Sequence, residues 1–429
     1  MKVGPSLIPA FSRDPSGGLL SRGGDIFRWI DGSYQRHYDH LLASGLYDRL
    51  IRLGLLIPHE EVQDPGQWPG AYKIIKPRKV PFISYPYEWC FSQLKDAAVL
   101  TLDIQIEALS HGMSLKDASA YNVQFLNGKP IFIDTLSFEM APPGALWKAY
   151  GQFCRHFLAP LALMSFSDAR LGGLARNFLD GIPLDMAVSL LPVQSYLRPG
   201  LFAHLLLHAR AERSFVNRRP QHAPSNAKGS EALALFIAHL KKTVRGLDLK
   251  IAPDGWAEYY DTRSHYSEAA AAGKDTFVGQ TIRDLRPATV WDLGANTGHF
   301  SRIAERLGAS VVSFDGDQAC VETNYRRVRK EEDSSLLPLT IDLSNPSPSL
   351  GWELKERNSL AQRGPADLIL ALALVHHLAL THRIPLRHIA SGLAQLGDYV
   401  IIEFVPKEDS AAKTLLHSAG GKDFLDYTQ

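Results

Sequence analysis

The sequence predicts an α/β protein in which the C-terminal half forms a parallel-sheet domain and an α+β domain precedes it. Over 289–315, an apolar segment, a glycine turn, a helical pattern and a second apolar segment follow one another. Two later apolar runs, at 367–374 and 399–404, have the length and composition typical of buried parallel strands. The polar segment 217–229 is interrupted by prolines, which is typical of a linker between domains.

The composition is that of an ordinary globular protein. The chain has 429 residues, of which 45% are hydrophobic and 21% charged, and this length allows for two or three domains. The formal net charge of +1 provides no general attraction to nucleic acids or membranes. Because no basic face or aromatic–basic stripe is present either, we predict no nucleic-acid partner.

Cysteines and hydropathy predict the compartment. Cys90, Cys154 and Cys320 are far apart in the sequence and form no CxxC pair, so we predict neither a disulfide nor a zinc site. The N-terminus lacks the pattern of a signal peptide, and no apolar run is long enough to span a bilayer. We therefore predict a cytoplasmic protein without membrane contact, whose oligomeric state the sequence leaves open.

The segment around Gly294 predicts a ligand-binding turn. Thr289–Leu293 is short, apolar and rich in β-forming residues, as a buried strand should be. Gly294 permits a sharp turn, and Gly298 leaves space where the next helix begins. That helix has apolar residues on one side, at the spacing of a buried stripe: Phe300, Ile303, Ala304 and Leu307.

An acidic residue completes this pattern. The second strand ends on Asp315, about 20 residues after Gly294, where a carboxylate can accept both hydroxyls of a ribose. We interpret the whole pattern as a site for a nucleoside-type cofactor, and an ordinary strand–helix turn is the alternative. The dinucleotide motif G-x-G-x-x-G is absent, because Asn296 replaces its middle glycine. Asp292 would repel a pyrophosphate and suits a cationic ligand such as S-adenosylmethionine.

These residues resemble motifs of the class I S-adenosylmethionine-dependent methyltransferases, from about Trp256 to the C-terminus. The segment 292–298 resembles motif I, and 367–378 resembles the motif at the methyl end of the cofactor. The resemblance implies a Rossmann-like domain, with the ribose bound by Asp315 and the adenine amino group by Asp342. It implies these cofactor-binding residues: Asp292, Gly294, Asn296, Gly298, Asp315 and Asp342.

Two histidines follow the predicted fourth strand. His376 or His377 can serve as the base that takes a proton from the methyl acceptor. The alternative is that they cap the next helix or pack beneath the cofactor. His382 and His388 do not extend the pair to a metal-binding spacing, so we predict no metal. Aromatic residues over 256–266 are candidates for a cofactor lid or for ordinary packing.

The N-terminal half contains a second group of polar residues. Asn127-Gly128 predicts a tight hairpin turn, with Asp117 and Asn122 before the hairpin and Asp134 after it. This arrangement resembles the catalytic segment of kinase-like phosphotransferases, which implies a base and magnesium ligands at these positions. The alternative is that these side chains cap nearby backbone groups.

This second resemblance has clear departures from the kinase pattern. Leu115-Lys116 precedes Asp117 in place of His-Arg, and Thr135-Leu136 follows Asp134 in place of Phe-Gly. No G-x-G-x-x-G loop lies upstream. The remaining candidates for the strand lysine and its glutamate partner are Lys73 or Lys76 with Glu107.

We predict an N-terminal α+β domain over 1–216, a linker and docking helix over 217–250, and a methyltransferase domain over 251–429. Residues 405–429 are too few for the helix and two strands that would complete a seven-stranded sheet. The sheet therefore stops at five strands, or the chain is truncated at its C-terminus; we favour truncation.

Taken whole, the chain resembles two-part methyltransferases associated with bacterial nodulation proteins. The resemblance implies methyl transfer to a hydroxyl of a small molecule or glycan. The alternatives are a non-catalytic S-adenosylmethionine-binding or scaffold protein, and an NAD-dependent oxidoreductase, which Asp292 disfavours. Phosphoryl transfer by the N-terminal half is a further hypothesis.

Overall fold

The computed structural model forms two compact units. The first comprises Met1–Val80, Ser84–Lys250 and Gly351–Glu356, and the second comprises Pro81–Ile83, Ile251–Leu350 and Arg357–Gln429. The structure describes residues 6–8, 14–63, 70–142, 144–215, 227–249, 268–331, 335–418 and 427. The predicted aromatic lid over 256–266 and most of the predicted linker lie outside these ranges.

The first unit begins with an antiparallel sheet of order β1-β2-β3-β5-β4. Its strands are β1 (Ser6–Ile8), β2 (Gly17–Arg22), β3 (Asp25–Asp31), β4 (His59–Val62) and β5 (Ala71–Pro77). Two helices lie between β3 and β4 in the chain, α1 (Gln35–Ala43) and α2 (Leu46–Arg52). Ile30, Tyr34 and Tyr38 pack with Ile75 in a fully buried cluster that joins the sheet to α1.

A long helix and four short strands follow the sheet. They are α3 (Phe91–Ser110), β6 (Met113–Leu115), the hairpin of β7 (Val123–Leu126) and β8 (Lys129–Phe132), and β9 (Phe138–Met140), which pairs antiparallel with β6. The hairpin turn predicted at Asn127-Gly128 is confirmed, because both residues have positive φ, of 52° and 68°. That conformation is the one that a two-residue turn of this type requires.

The rest of the first unit is helical. Its helices are α4 (Tyr150–Phe153), α5 (Ala159–Phe166), α6 (Leu184–Leu190), α7 (Pro199–Leu201), α8 (His208–Phe215) and α9 (Ala227–Arg245), with π-helical turns at Cys154–Leu158 and Phe202–Leu207. The last helix was predicted to dock one domain on the other. Its residues Ile237, Leu240 and Val244 are fully buried, and Lys241 forms an ion pair with Asp103 of α3. It therefore packs within the first unit.

The second unit contains a sheet of five parallel strands. Its elements in chain order are α10 (Glu268–Leu285), β10 (Thr289–Leu293), α11 (His299–Arg306), β11 (Ser310–Asp315), α12 (Gln318–Glu331), β12 (Leu336–Thr340), β13 (Ala366–Ala371), α13 (Leu386–Leu396), β14 (Gly397–Ile402) and α14 (Ser410–Ser418). The strand order is β12-β11-β10-β13-β14, and every pairing is parallel. The prediction of a Rossmann-like α/β domain is thus confirmed.

The strand order reverses between β10 and β13, which is where open α/β sheets bind ligands. Phe300 and Ala304 of α11 are buried against the sheet together with Val278 of α10, so the predicted apolar stripe is largely confirmed. Leu307, assigned to the same stripe, is 38% exposed because α11 ends at Arg306. Among the helices in the described ranges, none combines the length and hydropathy that crossing a bilayer requires.

Candidate functional site

The turn after β10 is built from left-handed backbone. Gly294, Asn296 and Gly298 have φ values of 75°, 51° and 80°, which glycine adopts freely and asparagine tolerates. The backbone N–H groups of Gly294 and Ala295 both donate to the carbonyl of Phe314, at 2.8 and 3.0 Å. The turn is therefore fixed to the end of β11, next to the predicted ribose-binding acid.

Gly298 is required sterically as well as conformationally. A Cβ atom at this position would lie 2.6 Å from the side chain of Asn324 and 2.7 Å from Nη1 of Arg302. Arg302 is buried, and its Nη1 donates to the carbonyls of Thr297 and Gly298 at 2.8 and 3.0 Å. This arginine fastens the turn to α11, a role that the sequence pattern did not reveal.

Asp292 is a buried acid beneath the turn. It is 2% exposed, and its Oδ2 accepts a hydrogen bond of 2.6 Å from Oγ of Ser301. Burial raises the pKa of Asp292 to about 6, while the hydrogen bond from Ser301 opposes that rise. Near neutral pH the site therefore holds a carboxylate that gains stability from any cation placed beside it.

Asp315 connects the two loops at the carboxyl ends of β10 and β11. Its Oδ2 accepts from the backbone N–H of Asn296 at 2.7 Å, and its Oδ1 accepts from the backbone N–H of Asp317 at 2.8 Å. Burial raises its pKa as well. Each oxygen keeps accepting capacity beyond these bonds, because a carboxylate oxygen has two lone pairs.

Asp342 follows β12 at the same edge of the sheet. Its Cα lies 3.9 Å from the position of a Cβ built on Gly316, the residue after Asp315. The Asp342 side chain is exposed, and its Oδ1 accepts from the backbone N–H and the hydroxyl of Ser344, at 2.8 and 2.6 Å. The structure therefore brings Asp342 close to Asp315 but engages its carboxylate in a local turn.

His376 and His377 stand after β13, where the chain enters a π-helical turn at His377–Thr381. Their ring centroids are 4.2 Å apart. His376 is 3% exposed, and its Nδ1 has no hydrogen-bond partner among the described residues. Burial lowers the pKa of His376 to about 4 and also lowers the pKa of His377. Both imidazoles are consequently neutral at pH 7.

An ion pair of Lys274 and Glu403 interacts electrostatically with both Asp292 and His376. Nζ of Lys274, on α10, is 2.6 Å from Oε2 of Glu403, the residue that follows β14. The charge of Lys274 lowers the pKa of Asp292, and the charge of Glu403 raises that of His376. Sequence analysis missed this pair. Glu403 could have been noticed as an acid at the end of a predicted strand.

His382 and His388 are exposed. Within the part of the chain that the structure describes, no three His, Cys, Asp or Glu side chains are arranged to hold a metal ion.

The candidate strand lysines of the N-terminal half, Lys73 and Lys76, do not pair with the candidate glutamate Glu107. Lys73 pairs with Glu61 at 2.6 Å and Lys76 pairs with Asp25 at 2.7 Å. Glu107 is bound instead by Arg49, at 3.1 Å. The basic residue of the sheet that contacts the predicted polar group is instead Arg28 of β3, which forms an ion pair with Asp134.

Comparison with known proteins identifies a relative along almost the whole chain. No family model matches the sequence. Nodulation protein NoeA of Rhizobium meliloti (strain 1021) is 33% identical over 433 residues, which cover 99% of this chain and 90% of that protein. This match confirms the predicted resemblance to proteins associated with bacterial nodulation.

The similar solved structures match smaller parts of the chain. A structure of WbdD, described as a bifunctional kinase-methyltransferase, is 21% identical, covers 36% of this chain and 32% of its own, and has a TM-score of 0.28. Magnesium protoporphyrin IX methyltransferase from Synechocystis PCC 6803 with bound SAH is 19% identical, covers 38% of this chain and 76% of its own, and has a TM-score of 0.25. From its identity to NoeA over nearly its full length, this chain belongs to the family of nodulation protein NoeA.

Proposed function

We propose that the second unit is an S-adenosylmethionine-dependent methyltransferase acting on a hydroxyl group of a small molecule or glycan. The observation that carries the proposal is that Asp292 lies buried beneath the glycine turn while Asp315, at the end of β11, binds the backbone of the same turn. An acid at the end of β11 suits a ribose. A buried acid beneath the turn suits a cation and opposes the pyrophosphate of a dinucleotide.

The residues of the turn fit this cofactor. Both oxygens of Asp315 accept backbone N–H groups of the two loops and keep accepting capacity for ribose hydroxyls. Asp292, buried and with a raised pKa, would hold the positively charged end of the cofactor. Asp342, which is close to Asp315 at the same edge of the sheet, would lie on the side of the adenine. S-adenosylmethionine supplies an activated methyl group when bound, and the protein's part is to align the acceptor with it.

His376 is the residue that we assign to the acceptor proton. Its imidazole is neutral at pH 7, and its Nδ1 has no partner among the described residues. A neutral imidazole can take the proton of a hydroxyl as that oxygen is methylated. The charge of Glu403 raises the pKa of His376, so it also favours the protonated form that proton transfer creates. His377 is the second candidate for this role.

The proposal is tested by transfer of a labelled methyl group. The full chain is incubated with methyl-labelled S-adenosylmethionine and a panel of oligosaccharides and small hydroxyl compounds. We expect label on a hydroxyl oxygen, and we expect His376→Gln to lower the rate about 10²- to 10⁴-fold, as loss of a general base does.

The matched control is His388→Gln, which changes an exposed histidine on α13 and should leave the rate unchanged. Labelling of an amine or thiol would contradict the proposed acceptor, and an active His376→Gln protein would contradict the proposed base. Cofactor binding without transfer to any acceptor would support the non-catalytic binding module instead.

A further inference from the structure

The kinase-like segment of the first unit brings its predicted polar residues together. Asp117 and Asn122 lie between β6 and β7, and Asp134 follows β8. In kinase-like phosphotransferases, residues at these places act as the base and the magnesium ligands. Magnesium requires oxygen atoms that are open to it, so the fit of a metal depends on which groups already occupy these side chains.

Both carboxylate oxygens of Asp134 are occupied by protein donors. Oδ1 accepts from the backbone N–H of Leu136 at 3.0 Å and forms the ion pair with Nη1 of Arg28. Oδ2 accepts from the hydroxyl of Ser137. Asp134 is 4% exposed. A metal at this carboxylate would have to displace a buried guanidinium group.

Asp117 and Asn122 are also engaged within the protein. Oδ1 of Asp117 accepts from the backbone N–H of Ser119 at 2.9 Å and from Nε2 of Gln152 at 2.8 Å. Nδ2 of Asn122 donates to Oγ of Ser137 at 3.1 Å. These bonds agree with the alternative reading of the sequence, in which the polar residues satisfy nearby backbone and side-chain groups.

Two basic side chains already offset most of the negative charge in this segment. Arg28, itself 4% exposed, pairs with Asp14 at 2.9 Å as well as with Asp134. Nζ of Lys116 lies 3.7 Å from Oδ1 of Asp14. These two cations face the carboxylates of Asp14 and Asp134, and Asp117 is the third acid of the group. A divalent ion added to them would leave the group with an excess of positive charge, which is costly where Arg28 and Asp134 are buried. In the described ranges, no three His, Cys, Asp or Glu side chains are grouped so that they could hold a metal ion.

We propose that Arg28 is the resident cation of this segment and takes the place of a magnesium ion. The third strand of kinases carries a lysine that pairs with phosphates. Here β3 carries an arginine whose planar group holds two carboxylates at once. In the first unit, the segment that resembles a phosphotransferase is therefore a structural core that needs no metal. It does not bind a magnesium–nucleotide complex.

The test compares the thermal unfolding of the full-length wild-type protein with that of an Arg28→Gln variant, with and without Mg²⁺ and ATP. The wild-type midpoint should not change when Mg²⁺ or Mg²⁺–ATP is added. Arg28→Gln should lower the midpoint by roughly 10 °C, because it leaves buried carboxylates without their cation. Mg²⁺ should then recover part of that loss.

Two further variants keep the test decisive. Lys73→Gln removes the exposed ion pair with Glu61 and should shift the midpoint by only about 2 °C or less. Arg28→Lys retains a cation and can be measured if Arg28→Gln does not fold; its midpoint should also be insensitive to Mg²⁺–ATP.

Stabilisation of the wild-type protein by Mg²⁺–ATP that disappears in Asp134→Asn would overturn the proposal. An Arg28→Gln protein as stable as the wild type, or one that Mg²⁺ does not stabilise, would also overturn it. None of these readouts depends on S-adenosylmethionine.

Discussion

At the scale of single residues, Asp292 determines how cofactor binding should depend on pH. Its folded pKa of about 6 is raised by burial, so the protonated form stabilises the fold at low pH and that contribution is lost as the pH rises through about 6. A cationic ligand prefers the ionised form. The affinity for S-adenosylmethionine should therefore rise about tenfold between pH 5 and pH 7.5.

Calorimetric titration at the two pH values measures this change. Asp292→Asn cannot ionise, so the variant should bind more weakly at pH 7.5 and should lose most of the pH dependence. The pH dependence that remains in the variant would come from Asp315, whose pKa is also raised. Equal pH dependence in the wild type and Asp292→Asn would show that Asp292 does not face the cationic part of the ligand.

The residues that could be predicted from the sequence differ from the missed ones in whether their role depends on nearby or on distant residues. Asp292 and Asp315 stand at fixed positions next to strands, so local pattern was sufficient to select them. Lys274 and Arg28 act through partners more than 100 positions away in the sequence. Nothing in the residues beside them indicates such a pairing, because it arises only when distant strands and helices pack together.

At the scale of elements, the glycine turn makes a prediction about stability. Gly298→Ala adds a Cβ in contact with Asn324 at a positive φ, so it combines overpacking with backbone strain and should lower the free energy of unfolding by about 2–4 kcal/mol. Gly308→Ala is the matched control. Gly308 also has positive φ, but a Cβ there meets nothing within 4 Å, and the cost should be about 1 kcal/mol.

Urea denaturation of the two variants measures this difference, provided that the signal recorded is the unfolding of the second unit. Equal losses in the two proteins would mean that backbone conformation alone, and not the contact with Asn324, makes Gly298 necessary.

Local sequence rules predicted some elements well and others not at all. The Asn127-Gly128 hairpin and the parallel strands were predictable, since turn chemistry and short apolar runs are encoded locally. The π-helical turn at His377–Thr381 was not, because the sequence there contains no residue type that distinguishes it from an ordinary helix start. The end of α11 at Arg306 shows the same limit, because the apolar pattern continued one residue beyond the helix.

At the scale of the whole molecule, the two units differ in whether their polar residues are open to a ligand. The second retains acids, glycine turn and neutral histidines in one region at the carboxyl ends of its strands. The first has polar residues that resemble those of a phosphotransferase segment, but other groups of the protein already engage them. Both units fall within the region of identity to NoeA, which covers 99% of the chain. The central claim is therefore that ligand chemistry belongs to the second unit.

Calorimetric titration of the full chain with S-adenosylmethionine and with NAD, using the wild type, Asp315→Asn and Asp317→Asn, tests that claim most directly. We predict binding of S-adenosylmethionine and not of NAD, weakened about 10- to 100-fold in Asp315→Asn, because charge-assisted hydrogen bonds to the ribose are lost. Asp317→Asn, two residues away, should bind as the wild type does. Tighter binding of NAD, or unchanged affinity for S-adenosylmethionine in Asp315→Asn, would contradict the account.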